Sequence, residues 1–260
     1  MKVTVFNGSP RGRNSNTHRI VEPLLEGARE TGAETEEVFL VERDIKHCRG
    51  CFGCWGKTPG KCVINDEMPR LMDLFLESDY VGLGTPIYSM YMTGLLKSFT
   101  ERLLPLATPH IRRNADGTFY HDGRIKRFPR VFCVANCGFP GEHNFDLLKA
   151  MVVRMSPVLE VYRNCGEILG DIGEADTPAI SEFHDAPDYA QYRIKERIPR
   201  WLWMTPEETV DASLRALGEG RIVVVPGLQN PAIVAALTGI FNDLASGRDD
   251  VRVVVLTLSL

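Results

Sequence analysis

Residues 8–17 read Gly-Ser-Pro-Arg-Gly-Arg-Asn-Ser-Asn-Thr, and this polar stretch decides how the first part of the chain folds. A short apolar run at residues 3–6 precedes it, and the apolar residues within 20–28 recur with helical spacing. The stretch is therefore predicted to be a loop between a first strand and a first helix. Unpaired N–H groups and the dipole at a helix N-terminus favour a bound phosphate. Arg11 or Arg13 would add a charge-assisted contact.

The same loop also permits an interpretation without a ligand, in which Ser15, Asn16 or Thr17 simply caps the helix. No G-x-G-x-x-G pattern of dinucleotide-binding loops is present, and this loop does not continue into the Gly-Lys-Ser/Thr of a P-loop. These absences favour the phosphate of a mononucleotide as the ligand.

Composition narrows the class of protein. The chain has 260 residues, of which 44% are apolar, enough for one large domain or for one domain with an extension. Its net charge of −4 gives no global support for nucleic-acid binding. No apolar run reaches the ~18 residues that a membrane span needs, and strand-like residues begin directly after Lys2, in place of a signal peptide. We therefore expect a cytoplasmic protein with no membrane or nucleic-acid partner.

The chain has seven cysteines. In a reducing compartment these would serve metal ligation, redox chemistry or burial.

Strand-like and helical segments alternate over the first 170 residues. We predict strands at residues 1–6, 35–40, 80–84, 131–135 and 159–169. Helices are predicted at residues 15–31, 66–77 and 144–155, with another after residue 91, and a hairpin at residues 110–120. This order predicts an α/β fold with a doubly wound, five-stranded parallel sheet and right-handed crossovers.

The last part of the chain differs in composition from the first. Residues 171–260 are predicted to form an α/β extension, with strand-like segments at 221–225 and 251–258, and the sequence assigns it no role. We therefore divide the chain into a domain at 1–170, which includes a cysteine-rich loop at 47–62, and this extension.

Three loops, at residues 8–17, 85–91 and 136–142, each follow a predicted parallel strand. Ligands of doubly wound sheets bind beyond the carboxyl ends of the strands, so all three loops should open on one edge. In the second loop Thr85 can form hydrogen bonds, and Tyr88 and Tyr91 can stack on a flat ring. In the third, backbone N–H groups lie near Cys137 and Gly138. A phosphate site flanked by such loops predicts bound FMN. Each tyrosine taken alone, however, is equally well explained by ordinary packing at the surface or at an interface.

Four cysteines have a spacing that is typical of iron–sulfur ligation. They follow the pattern C-x2-C-x2-C-x7-C and are Cys48, Cys51, Cys54 and Cys62. A [4Fe–4S] cluster would couple one-electron steps to two-electron flavin chemistry. Three alternatives remain open: a zinc site, a redox-sensing thiol pair, or free thiols in a loop that covers the flavin or forms an oligomer interface with Phe52 and Trp55.

Several of these motifs occur together, and in this order, in a known family. They are Gly8-Ser9-Pro10-Arg11, Ser15-Asn16-Thr17, Thr85-Pro86-Ile87-Tyr88, Gly94-Leu95-Leu96-Lys97 and Arg102. Over residues 1–165 the chain resembles the NADPH-dependent FMN reductases and flavodoxin-like quinone reductases. The cysteine loop makes it most similar to the iron–sulfur flavoprotein branch of that superfamily.

The resemblance implies a flavodoxin-like sheet and a homodimer or homotetramer. For the FMN phosphate it implies contacts from Ser9, Arg11, Ser15, Asn16 and Thr17. For the flavin ring it implies contacts from Pro86, Ile87, Tyr88 and the loop at Cys137 and Gly138.

The function expected from these observations is that of an FMN-dependent oxidoreductase. Its electrons would come from NAD(P)H or a ferredoxin-like donor and would pass to a quinone, a small aromatic molecule or another redox protein. Because the cofactor carries the chemistry, no side chain is predicted to be a nucleophile or a general base. A non-enzymatic electron carrier and a redox sensor are the alternatives from other functional classes.

Overall fold

A computed structural model of the chain describes residues 1–139, 142–163, 223–224 and 253–257. Its helices and strands are β1 (Lys2–Asn7), α1 (Asn16–Glu30), β2 (Glu34–Phe39), α2 (Met68–Glu77), β3 (Tyr80–Pro86), α3 (Gly94–Glu101), β4 (Ala107–Arg113), β5 (Phe119–Gly123), β6 (Arg130–Asn136), α4 (Asp146–Val152), β7 (Leu159–Arg163), β8 (Val223–Val224) and β9 (Val253–Thr257). None of the helices among these residues combines the length and the hydropathy that crossing a membrane requires.

The main sheet is parallel throughout, with the order β2-β1-β3-β6-β7-β9-β8 among the described strands. Its first five strands confirm the predicted doubly wound fold, because β1 lies between β2 on one side and β3, β6 and β7 on the other, so that the sheet extends from β1 in both directions. Strands β9 and β8 come from the segments predicted at 251–258 and 221–225, and they continue the sheet beyond β7. The division of the chain at residue 170 stays a prediction.

Two hydrophobic cores cover the two faces of this sheet. On one face α1 packs its apolar side against β1, β3, β6 and β7, with Leu24 and Phe132 among the buried residues. On the other face α2, α3 and α4 pack over a cluster in which the rings of Phe6 and Phe99 stack with their centroids 4.3 Å apart. Because helices cover both faces, β1 and β3 are buried along almost their whole length, as is usual for parallel strands.

The predicted hairpin is present as β4 and β5, which pair with each other outside the main sheet. Its turn closes through a hydrogen bond from the Asn114 N–H to the Thr118 carbonyl, and Gly117 takes a positive φ of 86° there. The ring of His121 on β5 lies 4.8 Å from the ring of Trp55, so the hairpin contacts the cysteine-rich loop.

Replacing Gly82 with alanine is expected to lower the free energy of unfolding by about 1–3 kcal/mol, the usual cost of overpacking a core. A Cβ at this position in β3 would lie 2.5 Å from the Phe132 ring and 2.7 Å from Val5. Urea unfolding followed by circular dichroism measures the change. Gly94→Ala is the matched control, since, apart from its chain neighbours and the backbone of its own helix, no atom of the described residues lies within 4 Å of a Cβ added there. Equal stability of Gly82→Ala and the unmodified chain would contradict this packing.

Candidate flavin site and cysteine centre

The loop after β1 folds back on itself through its own side chains. Ser15 caps α1: its Oγ accepts a hydrogen bond from the His18 N–H at 3.1 Å and donates one to the Gly12 carbonyl at 2.6 Å. Ser9 is buried, and its N–H donates to Asn7 Oδ1 at 2.8 Å. Gly12 adopts a positive φ of 54°, which allows the tight turn before the helix. The loop is therefore preformed.

This loop leaves hydrogen-bond donors free where a phosphate was predicted. Among the described residues, the backbone N–H groups of Asn16 and Thr17 in the first turn of α1 have no protein acceptor. Arg11 is exposed beside them, whereas the Arg13 guanidinium lies 4.5 Å from the centroid of the Phe39 ring. Free N–H groups at a helix N-terminus next to an available arginine fit the phosphate of FMN.

The hydroxyls predicted to contact the phosphate are already engaged within the protein. The Ser15 Oγ serves as the helix cap, and the Thr17 Oγ1 donates to Asn136 Oδ1 at 2.7 Å, which ties the first loop to the loop after β6. The Ser9 Oγ lies 3.4 Å from the Arg11 N–H. The predicted phosphate contacts of Ser9, Arg11, Ser15, Asn16 and Thr17 stay predictions.

Thr93, which sequence reasoning missed, joins the first loop to the second. Its hydroxyl donates to the Gly8 carbonyl at 2.6 Å and accepts from the Leu96 N–H at 3.3 Å, so it also caps α3. A Cβ on Gly8 would lie 2.6 Å from Leu96 Cβ, which shows how closely the loop packs on α3. The only signal in the sequence was a threonine directly before the Gly-Leu-Leu-Lys motif, at an N-cap position.

Thr85 bonds to Thr93 and so belongs to the same contact between the first and second loops. It is completely buried, its Oγ1 accepts from the Thr93 N–H at 3.1 Å, and it donates to the Pro86 carbonyl. A contact between its side chain and the cofactor stays a prediction.

The second loop presents an exposed tip. Tyr88 and Tyr91 bond to each other through both of their backbone N–H groups, and between them Ser89 and Met90 have positive φ values of 48° and 69°. Two consecutive non-glycine residues in this region store backbone strain, which is typical of functional loops. The Tyr88 side chain is exposed and available for stacking, whereas Pro86 is buried and Ile87 half-buried.

The third loop is anchored to both of its neighbours. The Asn136 carbonyl accepts from the Ile87 N–H at 2.7 Å, and the Cys137 N–H donates to the Arg163 carbonyl at 2.9 Å. The Cys137 thiol is buried and donates to the Phe139 carbonyl at 3.1 Å. The predicted ring contacts of Cys137 and Gly138 stay predictions.

A second polar cluster lies beside α1, and sequence reasoning missed it. The potential ligand atoms of His18, Glu22 and Glu37 lie within 4.8 Å of one another. Burial raises the pKa of Glu37 and outweighs its hydrogen bonds with Asn7 and His18, the second of which is 2.6 Å long. These two neighbours engage both carboxylate oxygens of Glu37, so the cluster is internally satisfied.

The four cysteines of the loop at 47–62 line a single pocket. Its walls are Cys48, Arg49, Cys51, Phe52, Cys54, Cys62, Ile64, Glu101, Arg102, Leu104 and Pro105. Cys54 is buried, and burial raises the pKa of its thiol, with further contributions from Cys62, Cys48 and Cys51. The structure thus brings together all four residues that were predicted to bind metal.

The separation of the thiols bears on which group the pocket can hold. Among the described residues, no three cysteine Sγ atoms lie within 4.8 Å of one another. Thiolates on one zinc ion, with Zn–S bonds of about 2.3 Å, would lie about 3.8 Å apart. As placed, the thiols therefore do not form the ligand set of a single zinc ion.

The cysteine loop is shaped by several tight turns. Gly50, Phe52 and Gly60 have positive φ values, and hydrogen bonds from the Trp55 and Gly56 N–H groups converge on the Phe52 carbonyl. The Trp55 indole N–H donates to the Leu104 carbonyl at 3.3 Å. These contacts hold the loop against the end of α3.

A buried ion pair lies at the base of the pocket. The Arg102 and Asp66 side chains are 1% and 0% exposed, and two hydrogen bonds of 2.5 and 3.0 Å join them. Burial alone would raise the pKa of Asp66, but its bonds from Arg102 and from the Lys46 and Met68 N–H groups lower it. The buried Arg102 Nε has no hydrogen-bond acceptor among the described residues. An unpaired donor beside four thiols fits an anionic sulfur-ligated cluster.

Comparison with known proteins agrees with this geometry. The sequence pattern of the NADPH-dependent FMN reductase family matches residues 1–115. An iron–sulfur flavoprotein of Methanocaldococcus jannaschii is 31% identical over 153 residues, which are 59% of this chain and 75% of that protein. An iron–sulfur flavoprotein of Archaeoglobus fulgidus is 36% identical over 105 residues, 40% of this chain and 46% of that protein. The chain thus spans about half the length of several relatives that it matches.

Among solved structures, a candidate quinone reductase from Klebsiella pneumoniae has a TM-score of 0.50 at 14% identity, covering 79% of this chain and 86% of that chain. This similarity concerns the fold alone. The sequence relatives confirm the resemblance on which the cofactor was predicted. The chain therefore belongs to the NADPH-dependent FMN reductase family, whose cofactor is FMN, and within it to the iron–sulfur flavoproteins.

Proposed function

We propose that this protein is an FMN-dependent oxidoreductase that takes electrons from NAD(P)H or from a reduced redox protein. It passes them to a quinone, a small aromatic molecule or a redox-protein acceptor, and a [4Fe–4S] cluster on Cys48, Cys51, Cys54 and Cys62 takes part in the transfer. The observation that carries the proposal is that one helix, α3, contacts both predicted redox sites. Thr93 at its start bonds to the phosphate loop, and Arg102 at its end lines the cysteine pocket.

The flavin part of the proposal depends on the three loops at the carboxyl edge of the sheet. The free N–H groups of Asn16 and Thr17 would hold the phosphate, with Arg11 supplying the positive charge. The exposed ring of Tyr88 would pack on the flavin and limit its contact with water. When bound, FMN supplies both one-electron and two-electron chemistry. The protein binds and orients the flavin and controls the access of electron donors and acceptors to it.

The cluster part depends on the cysteine pocket. Four cysteines line one pocket, no three of their Sγ atoms lie within 4.8 Å of one another, and the buried Arg102 lines the same pocket. Both sites contact α3, and Arg102 lies nine positions after Thr93, which at 1.5 Å per residue is about 13.5 Å along the helix axis. The two groups would therefore keep a constant separation within one subunit.

The quaternary state and the surroundings of the protein form part of the same proposal. We expect a homodimer or homotetramer, as the resemblance implies. A cytoplasmic setting is consistent with the free thiol state of all six cysteines among the described residues.

Purification without oxygen should yield a chain that carries FMN together with about four iron and four sulfide ions, the content of one [4Fe–4S] cluster. Cys62→Ala should lose most of the iron and sulfide and keep FMN, because the phosphate loop is remote from Cys62. Cys133→Ala is the control, since Cys133 lies in the buried strand β6 away from the pocket. Iron and sulfide retained in full by Cys62→Ala would contradict its role as a ligand.

Arg11→Ala should weaken FMN binding about 10- to 100-fold, the loss expected for one charge-assisted hydrogen bond of about 1.5–3 kcal/mol. Fluorescence titration of the flavin-free protein measures the dissociation constant. Riboflavin lacks the phosphate, so its affinity should not change in this variant. Arg13→Ala should have the smaller effect, because that guanidinium packs on Phe39. An equal loss of riboflavin and FMN affinity would argue against a phosphate contact.

Addition of NADH or NADPH under anaerobic conditions should bleach the visible absorbance of the bound FMN, and a quinone should restore it. Stopped-flow absorbance measures both half-reactions and shows which nucleotide is faster. If dithionite bleaches the flavin but neither nucleotide does, the protein is an electron carrier served by another redox protein. If no flavin binds under any reconstitution, the proposed function is wrong.

A further inference from the structure

Among the residues that the structure describes, one deeply buried cation lines the cysteine pocket. Two arginines line it, but Arg49 is exposed whereas the Arg102 side chain is only 1% exposed. Glu101, which also lines the pocket, is exposed and pairs with Lys97 at 2.6 Å. The charge of Arg102 is therefore the one that solvent screens least at this centre.

The guanidinium of Arg102 is held in a fixed orientation. Nη1 donates to Asp66 Oδ2 at 2.5 Å and to the Lys46 carbonyl at 2.6 Å, and Nη2 donates to Asp66 Oδ1 at 3.0 Å. Asp66 is itself fixed by the N–H groups of Lys46 and Met68, at 3.0 and 3.1 Å. This chain of bonds leaves the Nε–H as the buried donor without an acceptor.

A buried donor of a charged group that lacks a partner costs more free energy than a buried neutral donor without one. Besides Asp66 and the Lys46 carbonyl, the Cys62 side chain interacts with this guanidinium. Burial alone would lower the pKa of Arg102, but its interactions with Asp66 and with Cys62 raise it. Cys62 is therefore a near neighbour of Arg102. The Arg102 side chain and the four cysteines line the same pocket, and among these cysteines Cys62 interacts with the guanidinium.

We propose that Arg102 is a positioning residue of the cysteine centre, and that its Nε–H donates a hydrogen bond to a sulfur atom of the bound cluster. The inference rests on the proposed cluster. Hydrogen bonds to sulfur and nearby positive charge are among the factors that set the potential of iron–sulfur centres, because they favour the more negatively charged, reduced form. Arg102 therefore raises the reduction potential of the cluster, and Asp66 acts by aiming the guanidinium.

The two test variants at the ion pair keep the net charge of the pocket constant. Arg102→Lys retains a cation opposite Asp66 but removes the Nε donor. The double variant Arg102→Gln with Asp66→Asn removes both charges of the pair together, so that no unpaired buried ion remains. Arg49→Gln is the control, because it removes an exposed arginine from the rim of the same pocket. Each protein is purified without oxygen, and its iron, sulfide and FMN are measured per chain.

A redox titration followed by the electron paramagnetic resonance of the cluster gives its midpoint potential. In the double variant the ratio of reduced to oxidised cluster at a fixed potential should fall at least tenfold, which is a shift of about 59 mV to more negative values for one electron. Arg102→Lys should shift in the same direction by less, and Arg49→Gln should shift less than either. If the double variant does not fold, Arg102→Lys decides the test alone.

Two results would overturn the inference, and they are distinguishable. An unchanged potential in variants that hold a full complement of iron would leave Arg102 a purely structural residue, while the proposed cluster would stand. Absence of iron and sulfide from the unmodified chain, with FMN bound, would instead refute the cluster, and the role of Arg102 with it.

Discussion

The hydrogen bond from the Thr93 hydroxyl to the Gly8 carbonyl fixes the arrangement on which the rest of the site depends. It joins the loop after β1 to the start of α3, and the Thr93 N–H extends the link to Thr85 at the end of β3. Both hydroxyls are buried, so solvent does not compete for these bonds. Without this link, the phosphate loop and the strained turn at Ser89 and Met90 would have no fixed relation to each other.

The far end of α3 depends on a different kind of interaction. Transfer of Arg102 and Asp66 out of water costs several kcal/mol for each ion, and a bidentate geometry with additional backbone bonds is needed to offset that cost. The protein supplies this geometry, since Lys46 and Met68 bond to Asp66 and the Lys46 carbonyl bonds to Arg102. The pair thereby anchors the start and the end of the cysteine loop to one helix.

Local patterns in the sequence were sufficient to predict most of the secondary structure and the two candidate sites. The alternation of strands and helices predicted the parallel sheet, and the turn signal at 114–117 predicted the hairpin. The spacing of the four cysteines predicted that they would meet. Each of these signals is local in the sequence, and over such short distances backbone geometry limits the conformations that a segment can adopt.

Contacts between distant residues could not be predicted in this way. The Thr93 hydroxyl reaches a carbonyl 85 residues away, and Arg102 reaches an aspartate 36 residues away. A threonine before a helix and an arginine after one do not indicate which distant residue each will bond to. Thr85 shows the converse: a threonine at the end of a strand could face a ligand or the interior, and only the packing of α3 decides that its hydroxyl is buried. The apolar pattern predicted a strand that includes residues 253–257. It did not predict that this strand lies beside β7, because an apolar parallel strand would fit many positions in a sheet.

The single helix that carries both sites also limits how this fold can change over evolutionary time. Insertion of one residue into α3 would turn its end by about 100° and advance it by about 1.5 Å. Arg102 would then face away from the thiols, and Asp66 would lose its partner inside the protein. Changes of length are therefore confined to the loops on either side of α3, and relatives with longer or shorter cysteine loops should retain a helix of the same length.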